Sequence, residues 1–279
     1  LGHVRVFEYN NYSWTQKGST IFGASGDGLG NSVALNSDGS IVAIGAINTD
    51  NNSGHVSVYI YDNDDWIKIG DNIEENDIDG WYLALSDNGG AAGEMLPYRL
   101  VIGSRTNNAK VFELDTNFYN WTQIGNDINA STSSVTINGD GSIVAIGDEN
   151  DSGRGAVKVY SYDEDNTVWN QIDNKIEGKA ADDGFGSSVA INSDGSIVAI
   201  GGQCNDGNGE NSGHVRVYRY DENSTVWNQI GNDIDGEAAG DESGSSVSLS
   251  SNGLIVAIGS LNNDGNGSDS GHVRVFEYR

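Results

Sequence analysis

The sequence predicts an all-β fold, a β-propeller of four-stranded antiparallel blades with about five blades visible. Three observations predict it: motifs that return about every fifty residues, turn-forming glycines throughout, and no stretch with capped helical periodicity. Of 279 residues, 39 are Gly and 1 is Pro, which points to short strands joined by tight turns rather than to a linker.

Three motifs carry the period. Gly-His-Val-Arg-Val begins at Gly2, Gly213 and Gly271, with variants at Gly54 and Gly155 and a degraded copy over Asn108 to Phe112. Ile-Val-Ala-Ile-Gly ends at Gly45, Gly147, Gly201 and Gly259, and Leu-Val-Ile-Gly ends at Gly103. Segments resembling Trp-x-Gln-Ile-Gly open at Trp14, Trp66, Trp121, Trp169 and Trp227. Each repeat needs its neighbours to cover its apolar faces, so the whole of 1–279 reads as one domain.

In chain order, a partial repeat over 1–22 supplies a third strand (Gly2 to Tyr9) and a fourth (Ser13 to Gly18). Repeats over approximately 23–73, 74–128, 129–176 and 177–234 follow, and a partial one over 235–279 ends on a third strand at Tyr278. The 177–234 repeat shows the elements best. Ser187 to Asn192 is the first strand, and Asp194-Gly195 predicts a two-residue hairpin turn with positive φ. Ile197 to Gly201 is almost wholly apolar, as a strand buried on both faces must be. Gly213 to Tyr220 alternates, and Val226 to Ile230 closes the unit.

The N-terminal fourth strand would complete a fifth blade, leaving over one of two identical copies of Gly-His-Val-Arg-Val-Phe-Glu-Tyr, at Gly2 and Gly271. Ring closure is therefore expected either through the terminal strands or in trans, between copies. Leu1 opens inside a strand pattern with neither initiator Met nor signal peptide, so the expected context is a processed product or an excerpt of a longer chain.

Composition excludes several function classes. The 41 acidic and 14 basic residues give a formal charge of −27, a field that repels phosphate backbones and anionic headgroups. Nucleic acid is not an expected partner. No apolar run approaches transmembrane length, so direct membrane insertion is not expected either. Cys204, the 1 cysteine, has no disulfide partner.

The 177–234 repeat runs Phe185-Gly-Ser-Ser-Val-Ala, then Ile-Val-Ala-Ile-Gly, then Gly213-His-Val-Arg-Val-Tyr. This resembles the FG-GAP repeat of integrin-α-type propellers, and more closely the tandem repeats of large secreted surface proteins of marine microbes. The resemblance implies an extracellular or cell-surface location and a non-enzymatic role. FG-GAP blades often carry a calcium loop between their first two strands. Here that connection is only Ser193 to Ser196, too short to supply a cage, so the calcium site is not carried over to that position.

The residues themselves offer two candidate sites. Acidic, glycine-spaced loops before the third strand suit a hard cation: Asp264 and Asp269 first, then Asp206, Asp148 and Asp151, with Ca2+ as the expected ion. The 74–128 repeat breaks the symmetry most. There Trp81-Tyr82 replaces Ser-Val, the segment Asp87 to Tyr98 expands the first hairpin, and Met95, Pro97, Tyr98 and Arg105 are unique in their register, which suits a sugar ring or a protein surface. His3, His55, His214 and His272 recur in one register, which marks a structural role. No nucleophile motif is present. The expected function is a non-catalytic structural or adhesive module that contacts other surface proteins, copies of itself or polysaccharide. The alternatives are a carbohydrate-active enzyme using the loop Asp87 to Tyr98, and a calcium-dependent binding module.

Overall fold

A computed structural model describes residues 2–47, 54–74, 80–87, 97–105, 108–115 and 119–279. Among them the fold is all-β, and the one helical element is a 3-10 turn at Asp151–Gly153. No helix there is long and apolar enough to cross a membrane.

The strands form six consecutive antiparallel sheets. The chain begins with a two-stranded hairpin, β1 (His3–Asn10) and β2 (Ser13–Phe22). The first full blade is β3 (Leu29–Leu35), β4 (Ile41–Ala46), β5 (His55–Asp62) and β6 (Asp65–Lys68). The second is β7 (Tyr82–Leu85), β8 (Arg99–Gly103), β9 (Lys110–Asp115) and β10 (Asn120–Gln123). The third is β11 (Ser134–Ile137), β12 (Ile143–Asp148), β13 (Ala156–Asp163) and β14 (Val168–Gln171), with β15 (Ile176–Glu177) also pairing to β13. The fourth is β16 (Phe185–Ile191), β17 (Ile197–Gly202), β18 (His214–Asp221) and β19 (Val226–Asp235). The last sheet holds β20 (Ser243–Leu249), β21 (Ile255–Ser260) and β22 (His272–Glu277). Three strands at the end and two at the start stand outside the four complete blades. No strand pairing joins them among the described residues.

Burial follows from the stacking. Five apolar clusters each fill the gap between successive sheets. β4 is buried along its whole length because its alternate residues serve two gaps. Ile41 and Ala43 face the second blade, whereas Val42, Ile44 and Ala46 face the N-terminal hairpin. The last sheet has only one neighbour, and its equivalent Ile255 is 43 % exposed.

The seams explain the repeated glycine and serine. A Cβ on Gly201 would lie 2.1 Å from the backbone carbonyl of Gly244 in the next sheet, so no larger residue fits without displacing backbone. Across that seam Ser188 Oγ donates to the same carbonyl at 2.7 Å, as Ser134 does to Gly186 and Ser32 to Gly80.

Two local expectations need correction. The hairpin turn is not a two-residue loop: Asn192 N donates to the Ile197 carbonyl, and Ser193 to Ser196 lie between. Gly195 has φ +78° while Asp194 does not adopt positive φ. The buried Asn192 closes the loop by accepting the Ile197 N–H at 2.8 Å, a bond that a type I′ turn would not require. The second correction is at the fourth strand, which continues past its glycine. β19 runs to Asp235 because Gly231 (φ +71°) absorbs a bulge between the Val217↔Ile230 and Val215↔Ile234 pairs. Residues 233–235 therefore belong to the strand.

Candidate functional site

Consecutive sheets are locked by a socket that recurs along the array. The indole of Trp66 covers Gly18, Cδ1 lying 2.7 Å from where a Cβ would stand, and its Nε1 donates to the Lys17 carbonyl at 2.8 Å. Trp169 covers Gly125 in the same way and donates to Ile124, and Trp121 lies against Gly70. At the next joint Asp173 replaces the glycine, keeps φ +61°, and accepts the backbone N–H of Trp227 at 3.2 Å. Three of these indoles also tilt against a tyrosine of their own blade: Tyr61–Trp66 at 5.3 Å, Tyr162–Trp169 at 5.0 Å and Tyr220–Trp227 at 5.2 Å, whereas Trp121 stands opposite Leu114.

Two positions of this type are open among the described residues. Trp14 stacks on Tyr9 at 5.3 Å and is 68 % exposed. At the other, nothing stands within 4 Å of a Cβ on Gly231. Beside it runs an apolar groove of about 450 Å³ between β19 and β22, lined by Val217, Ile230, Leu254, Val256, Phe276 and Tyr278 among others.

The aromatic candidates of the second blade do not form one site. Arg105 places its guanidinium 4.8 Å over the Trp81 ring. Tyr98 stands at the opposite end of β8, half-buried against the core between the first two blades. Tyr82 pairs with Gly103, in the register where other blades carry the seam serine. Met95 lies outside the described residues. A residue that sequence reasoning missed, Arg99, is almost fully buried in this blade. It bonds Glu113 at 3.0 Å, Glu164 at 2.7 Å and the Gly141 carbonyl at 3.3 Å, and lies 4.7 Å over the Tyr162 ring. It clamps the second blade to the third.

The five acidic candidates are likewise spread, over the third blade, the fourth and the last sheet. Asp206 Oδ1 accepts the Asn211 N–H and Asp264 Oδ1 accepts the Asp269 N–H, both at 2.8 Å, so each closes its own loop. Asp269, at φ +49°, accepts from Ser268, and Asp148 accepts the Asn150 N–H. Asp151 is bound by Lys175 and by Lys158 at 3.2 Å. Burial alone would raise its carboxyl, but Lys175, Ser152 and Lys158 outweigh that and hold it at about 2.

The one group of potential metal-binding side chains that comes together among the described residues is His214, Asp233 and Asp235, with ligand atoms within 4.8 Å of one another. The β18–β19 register makes this juxtaposition by setting His214 opposite Asp235. Asp233 already has cationic partners: Arg216 Nε at 2.9 Å and Lys179 Nζ at 3.3 Å. Burial opposes ionisation of Asp233, but Gln229, Arg216 and Lys179 hold its carboxyl at about 2. His214 is fully buried, edge-on to Phe185, and neither ring nitrogen finds a partner. Burial first, then the neighbouring Arg216, push its imidazole down to about 4. His214 is thus packed as a neutral imidazole beside a carboxylate that Arg216 and Lys179 already pair.

Comparison with known proteins places the repeat and the fold. The FG-GAP repeat family matches residues 177–218, the stretch that forms β16, β17 and part of β18. No curated protein matches the chain. Among solved structures, a "putative 6-phosphogluconolactonase" of Bacteroides uniformis aligns over 97 % of this chain and 78 % of its own, with TM-score 0.61 and 14 % identity. A protein of the same description from Bacteroides fragilis aligns over 98 % and 73 %, with TM-score 0.60 and 15 % identity. TolB of Acinetobacter baumannii aligns over 90 % of this chain and 52 % of its own, with TM-score 0.51 and 16 % identity. At these identities the likeness is one of fold alone.

Proposed function

We propose that the chain is a non-catalytic structural or adhesive module of an extracellular or cell-surface protein, whose work is to hold acidic loops on a stiff stack of blades. The observation that carries this reading is what the repeated polar residues do. The indoles, seam serines, turn asparagines and His214 are taken up by joints between strands and sheets. The acidic candidates are spread over the third blade, the fourth and the last sheet. The FG-GAP match supports the same reading, because that repeat usually occurs in extracellular proteins. The partner is a surface protein, a polysaccharide or another copy of the chain.

The test is a glycan array and a surface-protein capture assay run beside an activity screen on acidic polysaccharides. Binding without turnover is the expected result. Turnover that vanished on deletion of Asp87 to Tyr98 would replace this reading with an enzyme.

A further inference from the structure

One blade breaks a pattern that the outer strands otherwise keep. Next to the pair that holds each outer-strand tryptophan, the opposed residues are Glu8–Thr15 in the N-terminal hairpin and Glu113–Thr122 in the second blade. They are Ser161–Asn170 in the third blade and Arg219–Asn228 in the fourth. In the first blade the pair is Ile60–Ile67. Directly opposed residues share a face of the sheet, and Ile60 packs against the core between the first two blades, so this pair faces the second blade. Ile67 is nonetheless 47 % exposed. Two isoleucines stand where the other four pairs are polar or charged, and an uncovered apolar patch of this kind marks a contact surface.

The second blade does not cover it. Where the third and fourth blades set Tyr162 and Tyr220 opposite the tryptophan, the second has the smaller Leu114. Trp121 also sits back from this joint. Its Cδ1 is 3.5 Å from a Cβ on Gly70, against 2.7 Å at the Gly18 and Gly125 joints, and its Nε1 finds no partner, whereas Trp66 and Trp169 donate across. Beside this joint lies a groove of about 450 Å³, lined by Ile60, Ile67, Ile69, Gly70, Tyr119 and the exposed Asp62. Tyr119, at φ +50°, is itself 53 % exposed. Next along the same seam, a cleft of about 170 Å³ is lined by Asp71, Glu74, Asn120 and Trp121 among others. Both flanking blades have all four strands, so the groove is a feature of the seam itself.

We propose that this seam is a docking site for a basic, apolar peptide segment of a partner surface protein, resting on the module reading for the class of partner. Apolar side chains of the segment lie in the groove, and a lysine or arginine beside them reaches Asp71 and Glu74. The walls set the first half of that chemistry. Three isoleucines and a tyrosine match aliphatic or aromatic side chains, and they offer few hydrogen-bond partners to the hydroxyls of a sugar. Charge sets the second half. Asp62, Asp71 and Glu74 stand along the seam with one amine among them, that of Lys68, which donates to Asn72. A second copy of the chain, at −27, would be repelled, whereas a cationic segment is drawn in.

The probe is a dye-labelled peptide with a leucine–phenylalanine pair flanked by lysines, read by fluorescence anisotropy against residues 1–279 in about 0.15 M salt. A twin peptide of the same charge carries glycine–serine in place of that pair. The native chain should bind the first at least about tenfold more tightly, the worth of one or two buried apolar side chains. Ile60→Glu with Ile67→Thr installs the pair that the hairpin and the second blade already hold, and should weaken binding about tenfold although it adds a negative charge. Thermal melting followed by circular dichroism checks that this variant folds. Tyr119→Asn, at an exposed position where asparagine accepts the positive φ, should weaken binding without that risk. Asp264→Asn, which removes a charge from the last sheet, should leave the affinity unchanged. Equal affinity for the two peptides overturns the proposal, as does unchanged affinity in both groove variants. Binding of maltohexaose that the double variant abolishes, in place of peptide binding, also overturns it and makes the groove a sugar site. Turnover in the activity screen would end the module reading yet leave the peptide comparison standing, so the two failures are told apart.

Discussion

Lowering the pH from 7 to 4.5 should destabilise the protein by roughly 2 kcal/mol through His214 alone, because its pKa falls from 6.5 in the unfolded chain to about 4 in the folded one. The direction follows from proton binding. Between these two values the unfolded chain takes up a proton that the native state refuses, so stability is full above about 6.5 and drains away as the pH falls toward 4. The full loss below that is roughly 3 kcal/mol, since each pKa unit is worth about 1.4 kcal/mol. Asp151 and Asp233, held at about 2 against 3.8, lose their stabilisation only below the histidine window. The two effects therefore separate on the pH axis. Urea unfolding followed by tryptophan fluorescence, at half-unit steps from pH 7 to 4.5, measures the slope. His214→Phe should flatten it, since Phe fills the slot beside Phe185 without a titrating group. Equal slopes in the native protein and the variant would show that His214 is solvated, and would refute the packed joint.

Three further predictions concern the joints, the clamp and the thiol. Trp66→Ala should cost about 3–5 kcal/mol in urea unfolding, because it empties the Gly18 socket, whereas Trp14→Ala in dilute monomer should change stability by less than about 0.5 kcal/mol. Arg99→Leu should cost about 2 kcal/mol, and Arg99→Lys should not restore it, since the guanidinium bonds two carboxylates and a carbonyl while stacking on Tyr162; calorimetric melting decides. Burial first, then Glu242, Glu149 and Asp206, raise the Cys204 thiol, so alkylation at pH 7 should run slower than after unfolding, as mass spectrometry would follow.

The fold was legible because the stacking of sheets leaves its trace in single residues. An apolar quartet ending in glycine is what a strand needs when both faces are covered and a neighbouring backbone comes close, so Ile197 to Gly201 could be placed from its letters. The continuation of the fourth strand was harder to see. Its signal was the isoleucine three positions after the bulge, as at Ile21, Ile73, Ile128, Ile176 and Ile234, diluted among acidic residues that suggest a loop. The sites were legible only in part. Arg105 meets Trp81, but Tyr98 is separated from them by the length of β8, a distance that sequence proximity hides. Arg99 was invisible because its partners lie in the next blade, at Gly141, Tyr162 and Glu164. The trio of His214, Asp233 and Asp235 depends on a register that the bulge at Gly231 sets.

The seam after the second blade differs from the others in one respect with a wider effect. Elsewhere the strand glycine meets a glycine carbonyl, but Gly103 faces side chains: a Cβ there would lie 2.4 Å from Thr132 and 2.7 Å from Val135. Tyr82, on the same blade, replaces the serine that would otherwise reach across. This boundary therefore has its own shape, cut on both sides. Units that look interchangeable on paper are not. Moving the second blade elsewhere in the row would strand Tyr82 and Thr132 without their counterparts, so the succession of blades is itself encoded, and a shuffled gene would yield an array with ill-fitting boundaries where each of them came to lie.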